Sequence, residues 1–295
     1  MADPAAITTG TTSPRSGDRR AVGGRPAVAT RGKVQHQLLG IRSPLAGRWR
    51  LLLGVLGVGL VLVVWVVAAS RGDSSSVLVP TPAATWRALA DMWSEGTLWT
   101  DLWASFQRVL IGYGISVAIG IVIGILIGSF ASAASLLEPP IAFLRYIPAT
   151  ALIPLFLLWL GLDESPKIWL IVVGTVFYNI LMTADVARSV PRQMLQASYT
   201  LGAGRRTILR RVIFPHSLPG IIDVARINLA AGWLMLVVAE LLAADKGIDY
   251  RINQAQRFRA VDEMFALLIV FGIIGLVSDL FLRWLRDRVS PWAKA

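Results

Sequence analysis

Few residues of this 295-residue chain could perform covalent or acid–base chemistry. The sequence has no cysteine and only two histidines, His36 and His216. Disulfides and thiol catalysis are therefore excluded, and a Cys/His metal site has almost no ligands to draw on. The carboxylates do not cluster beside a nucleophile and a base, which argues against a membrane enzyme. We expect no catalytic residue, no metal site and no enzymatic activity in this chain.

Charged and polar side chains inside long apolar runs are better candidates, because each is costly in lipid and usually faces protein or water. Arg226, Trp233 and Glu240 are spaced by seven residues, which places them on one stripe of a helix inside a bundle. They either line a pathway or pair with neighbouring helices. Arg226 and Glu240 are too far apart to pair with each other, about 21 Å along the axis.

Three more side chains complete the candidate pathway. Arg145 lies early in an apolar run, where it could reach lipid headgroups or present its charge to an anion. Tyr178 and Asn179 place hydrogen-bonding groups in the middle of another run. Contact with a neighbouring helix is the alternative interpretation of both.

The composition is that of an integral membrane protein. Hydrophobic residues make up 55% of the chain and charged residues 16%, with a mean hydropathy of +0.62. Soluble domains are about 45–50% apolar and about 25% charged. The net charge of +11 lies in short blocks beside apolar runs, so contact with a bilayer explains it better than binding to nucleic acid.

The chain divides into a tail and six apolar runs. Residues 1–50 are rich in Gly, Pro, Ser and Arg and predict a disordered basic tail. Residues 51–70 carry no charge and are long enough to cross a bilayer. Residues 71–108 predict a periplasmic segment with an amphipathic helix, capped by Thr81 or Thr85, whose tryptophans suit a membrane interface.

Residues 109–285 predict a core of five membrane helices, which makes the fold all-α with about six transmembrane helices. The predicted spans are Val109–Phe130, Glu138–Gly161, Ile168–Ala184, Leu218–Ala243 and Met264–Leu282. Prolines interrupt the run Glu138–Gly161, which is the third span when residues 51–70 are counted as the first. Gly120, Gly124 and Gly128 form a smooth stripe that would let another helix approach closely.

Basic residues lie on one side of these spans. The first 50 residues carry nine Lys or Arg and two Asp, and residues 186–222 carry six Arg and no acid. Residues 283–295 are also basic, whereas the segments on the other side are neutral or weakly acidic. The positive-inside rule then places both termini, the tail 286–295 and the loop 186–219 in the cytoplasm.

The polar segment Gln196–Pro219 has a helix-like first half, is closed by Pro215 and Pro219, and has a recognisable spacing. Gln196, Ala197 and Ser198 are followed by Gly202, and later by Val212, Phe214 and Pro215. This pattern resembles the cytoplasmic EAA loop of bacterial ATP-binding-cassette (ABC) importer permeases, which is Glu-Ala-Ala, three residues, Gly, nine residues, Ile, one residue, Leu-Pro. Gln196 replaces the glutamate of that pattern and removes its charge.

Residues 75–285 also resemble the permeases of aliphatic-sulfonate, taurine, nitrate and bicarbonate importers. The similar stretches are LRYIPATALIPLFLLWLGLDESPKI, RVIFPHSLPGI and ARINLAAGWLMLVVAELLAADKGI. The resemblance implies a type I ABC importer permease core in a prokaryotic inner membrane, and a small, anionic solute. It also implies three partners: an external binding protein, cytoplasmic ATPase subunits that hold ATP and Mg, and a second permease copy in a homodimer.

The family implies that the loop transmits force. The sequence has no GxxxxGK[ST] phosphate loop, so we expect no nucleotide or other cofactor on this chain. A short helix near Leu195–Gly204 would dock in the ATPase, with Gly202 and Gly204 allowing a tight turn and close approach. The coupling residues expected from the resemblance are Gln196, Ala197, Ser198, Gly202, Ala203, Gly204, Arg206 and Pro215.

The loop arginines have two interpretations, docking on the ATPase or signalling topology. The alternative function, a stand-alone channel or secondary carrier, would require its own coupling-ion site or internal repeats. Neither is visible in the sequence.

Overall fold

The computed structural model describes residues 47–70 and 78–294, and the regular structure in these ranges is helical. The predicted tail 1–50 therefore lies almost wholly outside the described residues, as does 71–77. The helices are α1 Gly47–Ser70, α2 Pro82–Ser94, α3 Thr97–Ser129, α4 Ala131–Leu144, α5 Ile153–Leu160, α6 Glu164–Arg188, α7 Arg192–Thr200, α8 Arg205–Ile208, α9 Phe214–Ala243, α10 Ile248–Phe258 and α11 Val261–Val289.

Five helical stretches in the described ranges are long and apolar enough to cross a membrane. They are α1, α3, α6, α11 and the continuous helical stretch Arg205–Leu241, which includes α8 and most of α9. A sixth crossing is possible if α4 and the helical stretch 149–160 together form one broken span. The expected all-α membrane protein with about six spans is confirmed.

The amphipathic helix before the core is α2. Thr81 caps it, with its hydroxyl oxygen accepting from the Ala84 N–H at 3.2 Å, and Pro82 occupies the first turn. Thr85 is instead buried within the helix. The next helix, α3, starts at Thr97 after Gly96, so the expected boundary between residues 108 and 109 falls inside one continuous helix.

The third expected span, Glu138–Gly161, differs from the observed helices. Its first part, α4, begins at Ala131 and holds Pro139 and Pro140 in its interior. The chain then breaks, and the two helical parts meet at 80°. Pro148 explains the break, because the residue before a proline is pushed out of helical geometry.

The glycine stripe of α3 packs against α6, as expected for a close helix contact. A Cβ atom at Gly124 would lie 2.7 Å from the carbonyl oxygen of Ile180 and 2.6 Å from the Cβ atom of Thr183. At Gly120 it would lie 2.8 Å from the Cβ atom of Asn179. The two helices therefore approach to a separation that only glycine permits.

The expected loop 186–219 is mostly helical. The helix α6 runs to Arg188, α7 covers Arg192–Thr200, and a continuous helical path starts at Arg205 and enters α9. Pro215 and Pro219 do not close a loop but lie in the first turns of α9. A π-helical stretch, Leu209–Ile213, precedes Pro215, and this wider turn accommodates the ring and the missing N–H of proline.

The remaining helices pack at the end of the bundle where α3 begins. Met92 of α2, Leu98 of α3, Ile248 of α10 and Leu267 of α11 belong to one buried apolar cluster. Helix α11 continues to Val289, so the first residues of the expected tail 286–295 are helical. This cluster fixes α10 against the ends of α3 and α11.

Candidate functional site

Glu240, near the end of α9, is the centre of a buried hydrogen-bond network. Only 1% of its surface is exposed. One carboxylate oxygen accepts from the Ser105 hydroxyl at 2.6 Å and from the Arg108 guanidinium at 2.8 Å. The other accepts from the Asp249 N–H at 2.9 Å. The buried charge is therefore neutralised and hydrogen-bonded, as its burial requires.

Arg108 joins the ends of three helices. Besides Glu240 on α9, its guanidinium contacts the carboxylate of Glu164 on α6 through two nitrogens, at 2.5 and 2.7 Å. It also donates to the carbonyl of Lys246 at 2.6 Å. Lys167 donates to Glu164 at 2.9 Å. The cluster thus contains two cations and two anions, and it ties α3, α6 and α9 together at one end of the bundle.

The turn from α9 to α10 is held by α3. The Asp101 carboxylate accepts from the Gly247 N–H at 3.0 Å and from Arg251 at 2.8 Å. Gly247 has φ +135, a backbone conformation favouring glycine, and a Cβ atom there would overlap the Glu240 carboxylate. Glycine at 247 is therefore required by both the backbone and the network.

Asp249 opens α10 beside this network. Burial, together with the negative charge of Glu240, raises the pKa of Asp249 to about 6. A hydrogen bond from the Asn253 amide, at 3.0 Å, opposes that rise in pKa. Asp249 therefore titrates closer to neutrality than an ordinary aspartate does.

A second polar group links α3, α6 and α9 near mid-bundle. The Asn179 amide donates to the Ser116 hydroxyl oxygen at 2.9 Å, and the Asn228 amide donates to the Asn179 carbonyl oxygen at 2.9 Å. Thr175 contacts Ser116 at 2.8 Å. Asn179 is only 2% exposed. Its side chain is thus in a helix contact.

Arg226 lies in an ion-pair network between α9 and α11. Its guanidinium is 3.2 Å from Asp279 and 3.4 Å from Asp223. Arg283 pairs with Asp279 at 2.8 Å, and Arg286 pairs with Asp223 at 3.0 Å. Arg226 and Glu240 therefore both have partners on other helices.

The three other pathway candidates lie in different surroundings. Trp233 is buried and packs edge-to-face on Phe271, with the two ring centroids 5.4 Å apart. Tyr178 is 46% exposed. Arg145 follows α4, keeps part of its surface exposed and donates to the Tyr146 hydroxyl at 3.1 Å. The six candidates thus do not converge on one site.

Helix α7 contains the expected coupling triplet. Gln196 and Ala197 are exposed, and the Ser198 hydroxyl donates to the Met194 carbonyl at 2.7 Å within the helix. On the opposite side, Leu195 and Ala203 pack against a buried cluster that includes Ile208. One face of α7 is anchored to the bundle, and the other is open.

Gly202 ends α7 with φ +77. The Gly202 N–H bonds the Tyr199 carbonyl at 2.9 Å, and the Ala203 N–H bonds the Ser198 carbonyl at 3.0 Å. This is the Schellman arrangement, in which a left-handed glycine closes a helix. The sequence expectation of a tight turn at Gly202 agrees with this geometry.

Gly204 does not share this left-handed geometry. Its φ is −72, which any residue can adopt, and a Cβ atom there would meet nothing within 4 Å. Arg206 is exposed, and Pro215 is half-buried in the first turn of α9. No ion pair to Arg206 occurs within the ranges that the structure describes.

Sequence reasoning missed most of the network around Glu240. Arg108 and Glu164 lie in the polar segments between the predicted spans, where hydropathy gives no sign of a buried partner. A usable signal was present, because Asp101, Ser105 and Arg108 recur at helical spacing and share one face of α3. Within the described residues, no group of three or more His, Cys, Asp or Glu could hold a metal ion.

Residues 117–294 match the family model of the binding-protein-dependent transport system inner membrane component. The taurine transport system permease protein TauC of Escherichia coli (strain K12) is 34% identical over 88% of this chain and 96% of its own length. The putative aliphatic sulfonates transport permease protein SsuC of the same organism is 36% identical over 78% of this chain and 90% of its own length.

The fold also matches a solved structure. A chain from the inward-facing conformations of the MetNI methionine ABC transporter superposes with a TM-score of 0.58 at 19% identity, covering 63% of this chain and 93% of that one. At this identity the likeness concerns the fold alone. It confirms the architecture of the type I ABC importer permease core.

Proposed function

The chain belongs to the family of binding-protein-dependent transport system inner membrane components, and from that premise we propose how this permease subunit of an ABC importer is driven and what it carries. Helix α7 is the segment on which the coupled ATPase acts. The observation that carries this proposal is the position of α7, whose one face is anchored by Leu195, with Ala203 packed just after the helix, and whose other face is open.

Movement of α7 has a direct route into the bundle. Ala203, just after α7, packs on the cluster that contains Val190, which follows α6, and Ile208 and Ile213, which lead into α9. A rigid Schellman turn at Gly202 holds α7 at a fixed angle to the helical path that begins at Arg205. A push on α7 therefore displaces α6 and α9 together.

The partners follow from the same assignment. Cytoplasmic ATPase subunits hold ATP and Mg and dock on α7 at Gln196, Ala197 and Ser198 and on the exposed residues Gly202 and Arg206 that follow it. Ala203, which packs on the bundle, and Pro215, in the first turn of α9, pass the movement on. An external binding protein delivers the solute at the opposite end of the bundle, and two copies of this chain form the permease. Both termini and α7 then lie in the cytoplasm, in agreement with their basic charge.

The solute we propose is a small organic sulfonate or a related anion. The similarity to permeases named for taurine and aliphatic sulfonates supports this class. Among the pathway candidates, Arg145 and Tyr178 keep exposed surface and are proposed to meet the solute. Asn179, Arg226, Trp233 and Glu240 are buried or paired, and we assign them to holding the helices.

A matched pair of valine variants tests the coupling role. Gly202→Val forces a β-branched residue into the left-handed region, whereas Gly204→Val meets open space at an ordinary φ. We expect Gly202→Val to lower binding-protein-stimulated ATP hydrolysis by tenfold or more, with the permease still inserted in the membrane. The assay uses proteoliposomes that contain the assembled complex.

Gly204→Val should keep at least half of the stimulated rate. Gly202→Asn is a second control, because asparagine tolerates the left-handed conformation, and it should restore much of the activity. Full stimulation in Gly202→Val would refute the coupling role of α7.

A further inference from the structure

A cavity of about 450 Å³ lies between the end of α9 and one side of α10. Its lining combines polar and apolar side chains, with Leu241 on α9 and Tyr250, Asn253, Gln254, Arg257 and Phe258 on α10. This volume is within the range of small-ligand sites, about 300–1,000 Å³. Glu240 also lines the cavity, which therefore borders the network around that residue.

The charge in this cavity is uncompensated. Arg257 makes no ion pair within residues 78–294, whereas Arg251, on the same helix, is paired with Asp101 at 2.8 Å. The one carboxylate in the lining, Glu240, is neutralised by Arg108 at 2.8 Å. Asp249 is absent from the lining, and its carboxylate accepts from the Asn253 amide at 3.0 Å. The cavity therefore presents a net positive charge.

Neutral donors surround this charge. The Gln254 carbonyl oxygen accepts from Arg251 at 3.2 Å, an arrangement that leaves the amide N–H groups as donors. Tyr250 contributes a phenolic hydroxyl. Leu241 and Phe258, which are 59% and 77% exposed, offer apolar surface beside them.

We propose that this cavity binds a small organic oxyanion, with the guanidinium of Arg257 holding the charged group and Leu241 and Phe258 covering the organic part. A guanidinium fork matches the geometry of sulfonate, carboxylate or phosphate oxygens. The inference rests on the proposed function, since it gives the transported solute a site on the permease at the end opposite α7.

Arg257 has a second physical role that a test must separate. It lies in the last turn of α10, where a cation also stabilises the helix through its dipole. Arg259 stands at the same helix end, is exposed and is absent from the cavity lining. Arg257→Gln and Arg259→Gln therefore remove equal charge from the same helix end but differ at the cavity.

The experiment titrates ethanesulfonate into the complete permease–ATPase complex in nanodiscs of zwitterionic lipid, without binding protein, and follows the ligand by saturation-transfer NMR. We expect saturable binding that Arg257→Gln weakens by tenfold or more, while Arg259→Gln leaves it within twofold. Ethylammonium, a cation of similar size, should not bind.

Equal affinity in Arg257→Gln and the unmodified chain, or no saturable binding at all, would overturn the proposal. Loss of ethanesulfonate binding when phosphatidylglycerol is added would also overturn it, since the cavity would then take lipid headgroups. If Arg257→Gln changed only stimulation by the binding protein, Arg257 would be a protein contact instead. ATP-driven uptake is measured alongside with the same unmodified permease and ATPase, reconstituted in proteoliposomes and supplied with the external binding protein, and its absence would mean that the proposed function has failed.

Discussion

At the scale of single residues, Glu240 shows how a membrane protein keeps a charge in its interior. Three donors satisfy the carboxylate, and Arg108 neutralises it. Removing one partner of such a pair costs about 3–5 kcal/mol, because the remaining charge stays buried. The network is therefore a sensitive point in the stability of this end of the bundle.

Gly247→Ala tests this directly. The added methyl group would overlap the Glu240 carboxylate and must displace it from its donors. We expect the free energy of unfolding to fall by at least about 3 kcal/mol, because the ion pair is disrupted and the backbone is strained. The measurement is thermal unfolding of the purified permease.

Gly96→Ala is the matched control. Gly96 also has a positive φ of +74, but a Cβ atom there meets nothing within 4 Å. Gly96→Ala should lower the free energy of unfolding by only about 1–2 kcal/mol, because it strains the backbone without disturbing a side chain. Equal destabilisation by both variants would contradict the role given to the Glu240 network.

The sequence predicted that Arg226, Trp233 and Glu240 lie inside a bundle, and the structure agrees. It could not identify their partners, because Arg108 and Glu164 lie in segments that hydropathy assigns to loops. Pairing between distant segments leaves no periodic pattern in either one. Only the helical spacing of Asp101, Ser105 and Arg108 indicated a shared polar face on one helix.

At the scale of elements, the contact between α3 and α6 determines how the bundle packs. Glycines at every fourth position of α3 bring the two backbones together. In a membrane, such close packing replaces the hydrophobic effect as a source of helix association. Movement of α6 should therefore carry α3 with it.

Gly124→Ala and Gly114→Ala test this packing. At Gly124 the methyl group would collide with Thr183 and the backbone of Ile180, whereas Gly114 faces open space. We expect Gly124→Ala to destabilise the permease by about 1–3 kcal/mol. Gly114→Ala should be neutral or stabilising by up to about 1 kcal/mol. Thermal unfolding that shifts equally in both variants would contradict the close contact.

Element boundaries were predicted unevenly. The glycine stripe was predicted, and the helix cap was narrowed to Thr81 or Thr85, because each is a local pattern. The sequence predicted a short helix near Leu195–Gly204 and a loop over the rest of the polar segment 196–219, closed by Pro215 and Pro219. Proline is tolerated in the first turn of a helix and beside a π-helical turn, so composition alone could not exclude the helical path observed there.

At the scale of the whole molecule, the two ends of the bundle differ in chemistry. One end carries α7 and the arginines around it, and the other carries the neutralised Glu240 network, α10 and its cavity. We assign the first end to energy input and the second to the entry of solute. Two sets of contacts connect these two ends through the bundle. One is the hydrogen-bonded group of Ser116, Thr175, Asn179 and Asn228, and the other is the set of ion pairs between α9 and α11.

The most direct test of this account is uptake of radiolabelled taurine into proteoliposomes that contain the permease, its ATPase and its external binding protein. We predict that uptake requires hydrolysable ATP and both partners, and that the permease alone admits none. Uptake that proceeds equally without ATP or without the ATPase would identify a channel or secondary carrier and contradict the account.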